Sequence, residues 1–199
     1  MKVCFYGNTG HFFTAFLAKD KGENLEFTAY CPSYPGEDMG QLLLFAGQTE
    51  GEYPDGWEDH ARGHGEKESC VMKRYEALET MLVQESPDVL VVDNRFAQRY
   101  KAEYEAAERG IHVYADKPIA VDELELKKLY QCVKENNVIL WAMDTVRYDP
   151  WYYTAWKLIQ EGEIGKIRMV NWQKSYRLGT RIDFYRERKY YGGTIPWVT

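Results

Sequence analysis

AAERGIHVYADKPIA, Ala106 to Ala120, is the stretch from which the fold is read. Its first residues close a helix at Gly110, the residue type that ends helices by taking the left-handed conformation. IHVYAD then runs as an apolar strand, and Asp116 ends it. Pro118 fixes its own φ and pushes Lys117 toward an extended backbone. Helix, tight turn, buried strand and polar loop make the repeating unit of a parallel α/β sheet. A lysine set between an acid and a proline at such a strand end is either a solvated loop residue or a group that meets a ligand.

The same unit recurs on both sides. Toward the N-terminus, DVLVVDN, Asp88 to Asn94, is a continuous apolar run of the kind a strand buried on both faces shows, and a helix is expected from Gln98 to Arg109. KVCFYG, Lys2 to Gly7, predicts a first strand, HFFTAFLAKDKG a helix, and LEFTAYC, Leu25 to Cys31, a second strand. A further helix is expected near Tyr75 to Glu85. Toward the C-terminus, Val121 to Asn136 has helical spacing and VILWAM, Val138 to Met143, reads as a strand. The alternation predicts an α/β domain over residues 1–145, a Rossmann-like doubly wound parallel sheet.

Between these segments, Pro35 to Ser69 holds a short helix at Met39 to Ala46 followed by a glycine-rich polar run, expected as a mobile excursion on the rim. Beyond the sheet, Asp149-Pro150 opens a helix, WYYTAWKLIQEG, and IGKIRMVNWQKSYR is expected to begin a strand. Residues 146–199 are therefore read as the start of a second, α+β domain with an open sheet. Its aromatic strand could pair with another copy of the chain, since exposed sheet edges favour this.

Composition narrows the class. The 199 residues are 45% hydrophobic and 28% charged, ordinary for a globular chain. A formal charge of -6 argues against general nucleic-acid binding, which rests on lysines and arginines neutralising phosphates. Cys4, Cys31, Cys70 and Cys132 are far apart, so neither a zinc site nor a redox pair is indicated, no metal is expected, and they read as reduced core residues. No run approaches the roughly 18 apolar residues of a membrane span, and no signal peptide is evident. The cytoplasm is the expected compartment, with no membrane partner. Trp141 and Trp151 could stack on a ligand, although core positions are the commoner use.

GNTGHFF, Gly7 to Phe13, lies where a strand passes into a helix, the place where dinucleotide folds bring backbone amides to a pyrophosphate. Gly7 and Gly10 are present, but Thr9 and Phe12 stand where the GxGxxG pattern has its other glycines. The segment after the second strand, Tyr30-Cys31-Pro32-Ser33, lacks the acid that holds the ribose of NAD. Glu37 and Asp38 follow several residues later, and no arginine is adjacent for a 2′-phosphate. NAD and NADP both stay open. Ligands of open parallel sheets bind beyond the carboxyl ends of the strands, which places Asp93-Asn94, Asp116-Lys117-Pro118 and Asp144 around one crevice.

From DKP the resemblance spreads. AAERGIHVYADKPIA, RYDPWYYTAWKLIQEGEIGKI (Arg147 to Ile167) and GGT (Gly192 to Thr194) resemble, in order and spacing, segments of the Gfo/Idh/MocA family of NAD(P)-dependent oxidoreductases. The family signature at this strand end is EKP, and Asp116 here replaces the glutamate. The resemblance implies NAD or NADP as cofactor and hydride transfer between the nicotinamide and a sugar, cyclitol or related alcohol. It implies Lys117 as a catalytic and substrate-orienting residue. Gly7, Thr9, Gly10 and His11 on the loop, with Asn94, Asp116 and Pro118 at the strand ends, are the candidate cofactor contacts. Arg147 and Tyr176 are candidate substrate contacts, Arg147 being equally able to pair with Asp144 or Asp149.

The departures are specific. The family carries an Asp and a His on a helix after its GG segment, and this sequence reaches Thr199 before such a pair, so a C-terminally truncated member is expected. None of His11, His60, His64 and His112 suits that role. Asp93, Asn94 and Gln98 stand where the family has a threonine or serine, a proline and a histidine. A non-catalytic dinucleotide-binding or regulatory homologue is therefore the alternative, and an assembly module the third reading.

Overall fold

The computed structural model describes residues 1–20, 24–51, 70–173 and 183–192. It divides into two compact units, one comprising residues 1–143 with the segment from Phe184 onward, the other Asp144–Asp183.

The first unit is built on a six-stranded, all-parallel sheet in the order β3-β2-β1-β4-β5-β6. Its strands are β1 Lys2–Tyr6, β2 Glu26–Cys31, β3 Lys73–Arg74, β4 Val89–Val92, β5 His112–Ala115 and β6 Leu140–Ala142. The helices α1 Phe13–Asp20, α2 Gly40–Phe45, α3 Leu78–Glu85, α4 Arg99–Glu108 and α5 Glu123–Glu135 intervene. The strand order reverses between β1 and β4, the topological switch point of a doubly wound sheet. The alternation read from the sequence is the alternation found. Only the two-residue β3 was missed, being too short and too polar, Lys73-Arg74, to show a period.

Each face of the sheet has its own core. On one side Phe5, Phe12, Phe16, Phe27 and Phe45 interlock, with Phe16 and Phe27 edge to face at 4.7 Å between ring centres. Offset and edge-to-face rings add to the gain from apolar burial. On the other side Leu90, Val92 and Val113 of the central strands pack with Met81 of α3 and Ala102 and Ala106 of α4. The alanines let α4 approach the sheet closely. Asp122 caps α5, its Oδ1 accepting from Leu124 N at 2.8 Å and Glu125 N at 3.0 Å, a bond set worth about 1 kcal/mol. Cys4, Cys31 and Cys132 are buried free thiols, as expected, while Cys70 is only half-buried. Burial pushes the Cys4 and Cys31 thiols up to about 11.

A late segment completes this unit. Phe184 packs edge to face on Phe96 at 5.2 Å, with Tyr185 and Tyr191 beside it, and the helix α7 Arg188–Tyr191 ends at Gly192 against Val121.

The second unit contains α6 Pro150–Gln160, capped by Asp149, whose Oδ1 accepts from Trp151 N at 3.0 Å. Proline at the first helical position costs nothing, because that amide has no helical acceptor. The strand expected over IGKIRMVNWQKSYR is not formed in its described part, residues 164–173. Met169, Val170 and Trp172 are exposed there, and no described strand runs alongside to pair its backbone. Trp141 and Trp151 are also exposed, contrary to a core role. The glycine-rich excursion lies largely outside the described residues.

Candidate cofactor crevice

Register puts the candidate residues together. Tyr6 pairs with Cys31 and Val92, and Val92 with Ala115, so the chain leaves β1, β4 and β5 at one level, at Gly7, Asp93 and Asp116. Gly7 has φ +75°, and a Cβ there would lie 2.5 Å from the Asp93 carbonyl oxygen, so only glycine fits this turn. The loop then folds over Asp93. Thr9 donates its amide to the Asp93 carbonyl at 2.9 Å, and its hydroxyl to that carbonyl at 3.1 Å and to Oδ1 at 3.2 Å. The amides of Gly10 and Phe12 both donate to Asp93 Oδ2 at 2.9 Å.

Asp116 lies beside this carboxylate. Its Oδ1 meets His11 Nδ1 at 2.9 Å and accepts the Lys117 amide at 2.8 Å. The approach of the two acids explains Gly10: a Cβ there would come within 2.2 Å of Asp116 Oδ2 and 3.2 Å of Asp93 Oδ1. Between them stands Arg99, wholly buried at the start of α4. Its Nη1 donates to the Pro118 carbonyl at 3.1 Å and its Nη2 to the Asn94 carbonyl at 2.6 Å. Nη2 is also 3.9 Å from Asp93 Oδ1 and 3.7 Å from Asp116 Oδ2. One guanidinium thus ties the end of β4 to the DKP turn, whose Lys117-Pro118 bond is cis.

The two carboxyls are driven apart electrostatically. Burial and the charge of Asp116 push Asp93 up to about 7 against the pull of Arg99 and the Phe12 amide. Burial acts the same way on Asp116, but the His11 bond, Arg99 and Lys117 outweigh it and hold that acid down at about 2. Such a split between adjacent acids is common at functional sites and also occurs in structural ion-pair networks.

Of the candidate cofactor contacts, Gly7, Thr9, Gly10, His11, Asn94, Asp116 and Pro118 all lie at this cluster. Lys117 is half-buried at its edge, its charge acting on Asp116. Arg147 is exposed in the second unit and forms no ion pair with Asp144 or Asp149. Tyr176 lies outside the described residues. Asp144, expected at the crevice, is exposed and belongs to the second unit.

Sequence reasoning missed four residues. Arg99 and Glu103, one helical turn apart, resemble a solvated pair in sequence, yet both are wholly buried and both Glu103 oxygens lack a partner. Glu37 stands apart from β2 in sequence. It folds back, accepting from the Ser33 amide and hydroxyl and, at 3.4 Å, from the Asn8 amide. Arg95 has no sequence feature that marks it. Its guanidinium lies 3.6 Å from the Tyr34 ring centre and 4.0 Å from that of Tyr190. An arginine therefore does stand near the end of β2. Only the fold, which brings β4 beside β1, could show that.

Residues 58–143 match the GFO_IDH_MocA family, described as an oxidoreductase family with an NAD-binding Rossmann fold. The matched residues fall within the Rossmann unit. A levoglucosan dehydrogenase from Pseudarthrobacter phenanthrenivorans is 36% identical over 85 residues, 42% of this chain and 22% of that protein. A structure from Thermotoga maritima, assigned as an oxidoreductase, is 37% identical with a TM-score of 0.77, covering 99% of this chain and 54% of the other. A scyllo-inositol dehydrogenase from Lactobacillus casei, solved with NAD(H) and scyllo-inositol, is 18% identical with a TM-score of 0.57, covering 83% and 42%, and shares the fold. The chain thus spans about half the length of these solved relatives. Among the described residues no helix is long and apolar enough to cross a membrane, and no cluster of potential metal ligands occurs.

The residues accommodate such a cofactor unevenly. The glycine turn, the switch-point crevice and the unpartnered Asn94 Oδ1 suit a nucleoside. The first-turn amides do not offer a free cradle to a pyrophosphate, since Gly10 and Phe12 already donate to Asp93.

Proposed function

We propose that this chain supplies the cofactor-binding domain, residues 1–145, and the first part of the substrate domain, residues 146–199, of a cytoplasmic NAD-dependent oxidoreductase acting on a sugar, cyclitol or related polyol. The observation that carries this reading is the convergence of Gly7, His11, Asn94 and Lys117 at the carboxyl ends of β1, β4 and β5. Bound NAD would supply the hydride acceptor. Gly7, Asn94 and His11 would hold it, and Lys117 would orient the alcohol and stabilise charge developing on its oxygen. Arg99 and Asp116 act through the backbone, fixing the turn that carries Lys117.

Glu37 supports NAD over NADP. A carboxylate near the end of β2 accepts from ribose hydroxyls and repels a 2′-phosphate. Arg95 opposes this, but its guanidinium already lies against the rings of Tyr34 and Tyr190. A non-catalytic dinucleotide-binding role is the second reading, favoured by the engagement of the loop amides with Asp93. Fluorescence titration with NADH and NADPH tests the proposal, with Lys117→Ala as companion. Saturable binding that prefers NADH is expected. The lysine variant should keep it and, in a chain carrying the whole substrate domain, lose NAD reduction with levoglucosan or inositols as probes. Absence of binding by the folded chain contradicts the reading, and binding without turnover on any polyol by that longer chain favours the second.

A further inference from the structure

We infer that Asp93 acts as a built-in hydrogen-bond acceptor for the β1–α1 loop, so that this chain recognises a dinucleotide through its nucleoside ends rather than its pyrophosphate. The inference rests on the dinucleotide reading above and specifies how that site selects its ligand.

A helix N-terminus attracts an anion because its first amides have no helical acceptor and point the same way. In the loop that leads into α1 such donors are largely spent. Asp93, at 0% exposure, takes the Gly10 and Phe12 amides on one oxygen and the Thr9 hydroxyl on the other. Thr9 N is held by the Asp93 carbonyl, and Gly7 N by that of Cys31. Asn8 N is directed to a second carboxylate, Glu37. Among the described residues, His11 alone on this loop has an amide with no protein acceptor.

Geometry keeps the carboxylate in place. Thr9 clamps Asp93 through side chain and backbone, and Arg99 stands against its Oδ1 from below. Gly10 carries no Cβ because Asp116 and Asp93 fill that space, so the glycine serves the acids rather than a phosphate. A pyrophosphate arriving above the loop meets one free amide and two acids already bound to its would-be donors. Each charge-assisted hydrogen bond forgone forfeits about tenfold in affinity.

Competition against bound NADH by adenosine, ADP and ADP-ribose tests this, in the wild-type chain and in Asp93→Ser. The wild type should bind ADP within about fivefold of adenosine, whereas two free amides would separate them by about a hundredfold. Asp93→Ser should widen the ratio at least about tenfold by releasing Gly10 and Phe12. If that variant does not fold, Asp93→Asn, which keeps the shape and drops the charge, should widen it by a smaller factor. A wild-type chain preferring ADP by about a hundredfold, or a ratio unmoved in a folded variant, overturns the inference and leaves the oxidoreductase reading standing. NADH binding seen only in the variant overturns it, because the wild-type chain then recognises no dinucleotide. No NADH binding by wild type or variant removes both.

Discussion

At the residue scale Gly10 is the tightest point of the crevice, because Asp116 Oδ2 would lie 2.2 Å from any Cβ placed there. That oxygen belongs to a buried carboxylate held by His11 and the Lys117 amide, so it cannot step aside cheaply. Gly10→Ala should therefore lose about 1–3 kcal/mol, the usual cost of overpacking, read from urea unfolding. A second residue-scale prediction concerns pH. Asp93 and Glu103 are both raised in the fold, Asp93 to about 7 and Glu103 well above the carboxylate range because of burial. Their contribution is whole below the unfolded value of about 4 and is lost as pH rises through the folded values. Asp116, held down at about 2, contributes above about 4 and loses only in stronger acid. Stability should accordingly fall from pH 5 to pH 8. Glu103→Gln should flatten that slope, raising the melting temperature at pH 8 more than at pH 5. An unchanged slope would show that Glu103 does not titrate in this range.

At the element scale, Arg99 ties the end of β4 to the turn after β5. Arg99→Met leaves Asp93 and Asp116 without their shared cation, a loss of about 3–5 kcal/mol for breaking a buried pair. Chemical denaturation would measure it, and an effect as small as a surface substitution would refute the tie. The strands and helices themselves were legible in sequence, since runs such as DVLVVDN and the helical spacing of Leu129 and Val133 record burial directly. The tie was not. Arg99 and Glu103 differ from solvated residues only through what α4 packs against, and Glu37 reaches Asn8 through a loop whose path no periodicity encodes. The expected strand after Gly165 shows the converse limit, because its apolar pattern is present while its described part lacks a partner strand.

At the scale of the whole molecule, the Rossmann unit includes chain from beyond the second unit. Phe184 is 4% exposed against Phe96, so Phe184→Ala should destabilise the first unit, by about 3 kcal/mol for removing a buried ring. Thermal unfolding followed by the near-ultraviolet signal would read this, and an unchanged midpoint would mean that the segment adds nothing to the fold. The same packing sets Tyr190 on Arg95, so the dinucleotide crevice and the late segment share a residue at their border. Everything proposed above depends on NAD occupying the crevice at the ends of β1, β4 and β5. Hydrogen–deuterium exchange with and without NADH tests it most directly. Protection confined to Gly7–Phe13, Asp93–Phe96 and Asp116–Pro118 is the predicted result, and exchange unchanged across all three segments at saturating NADH would contradict it.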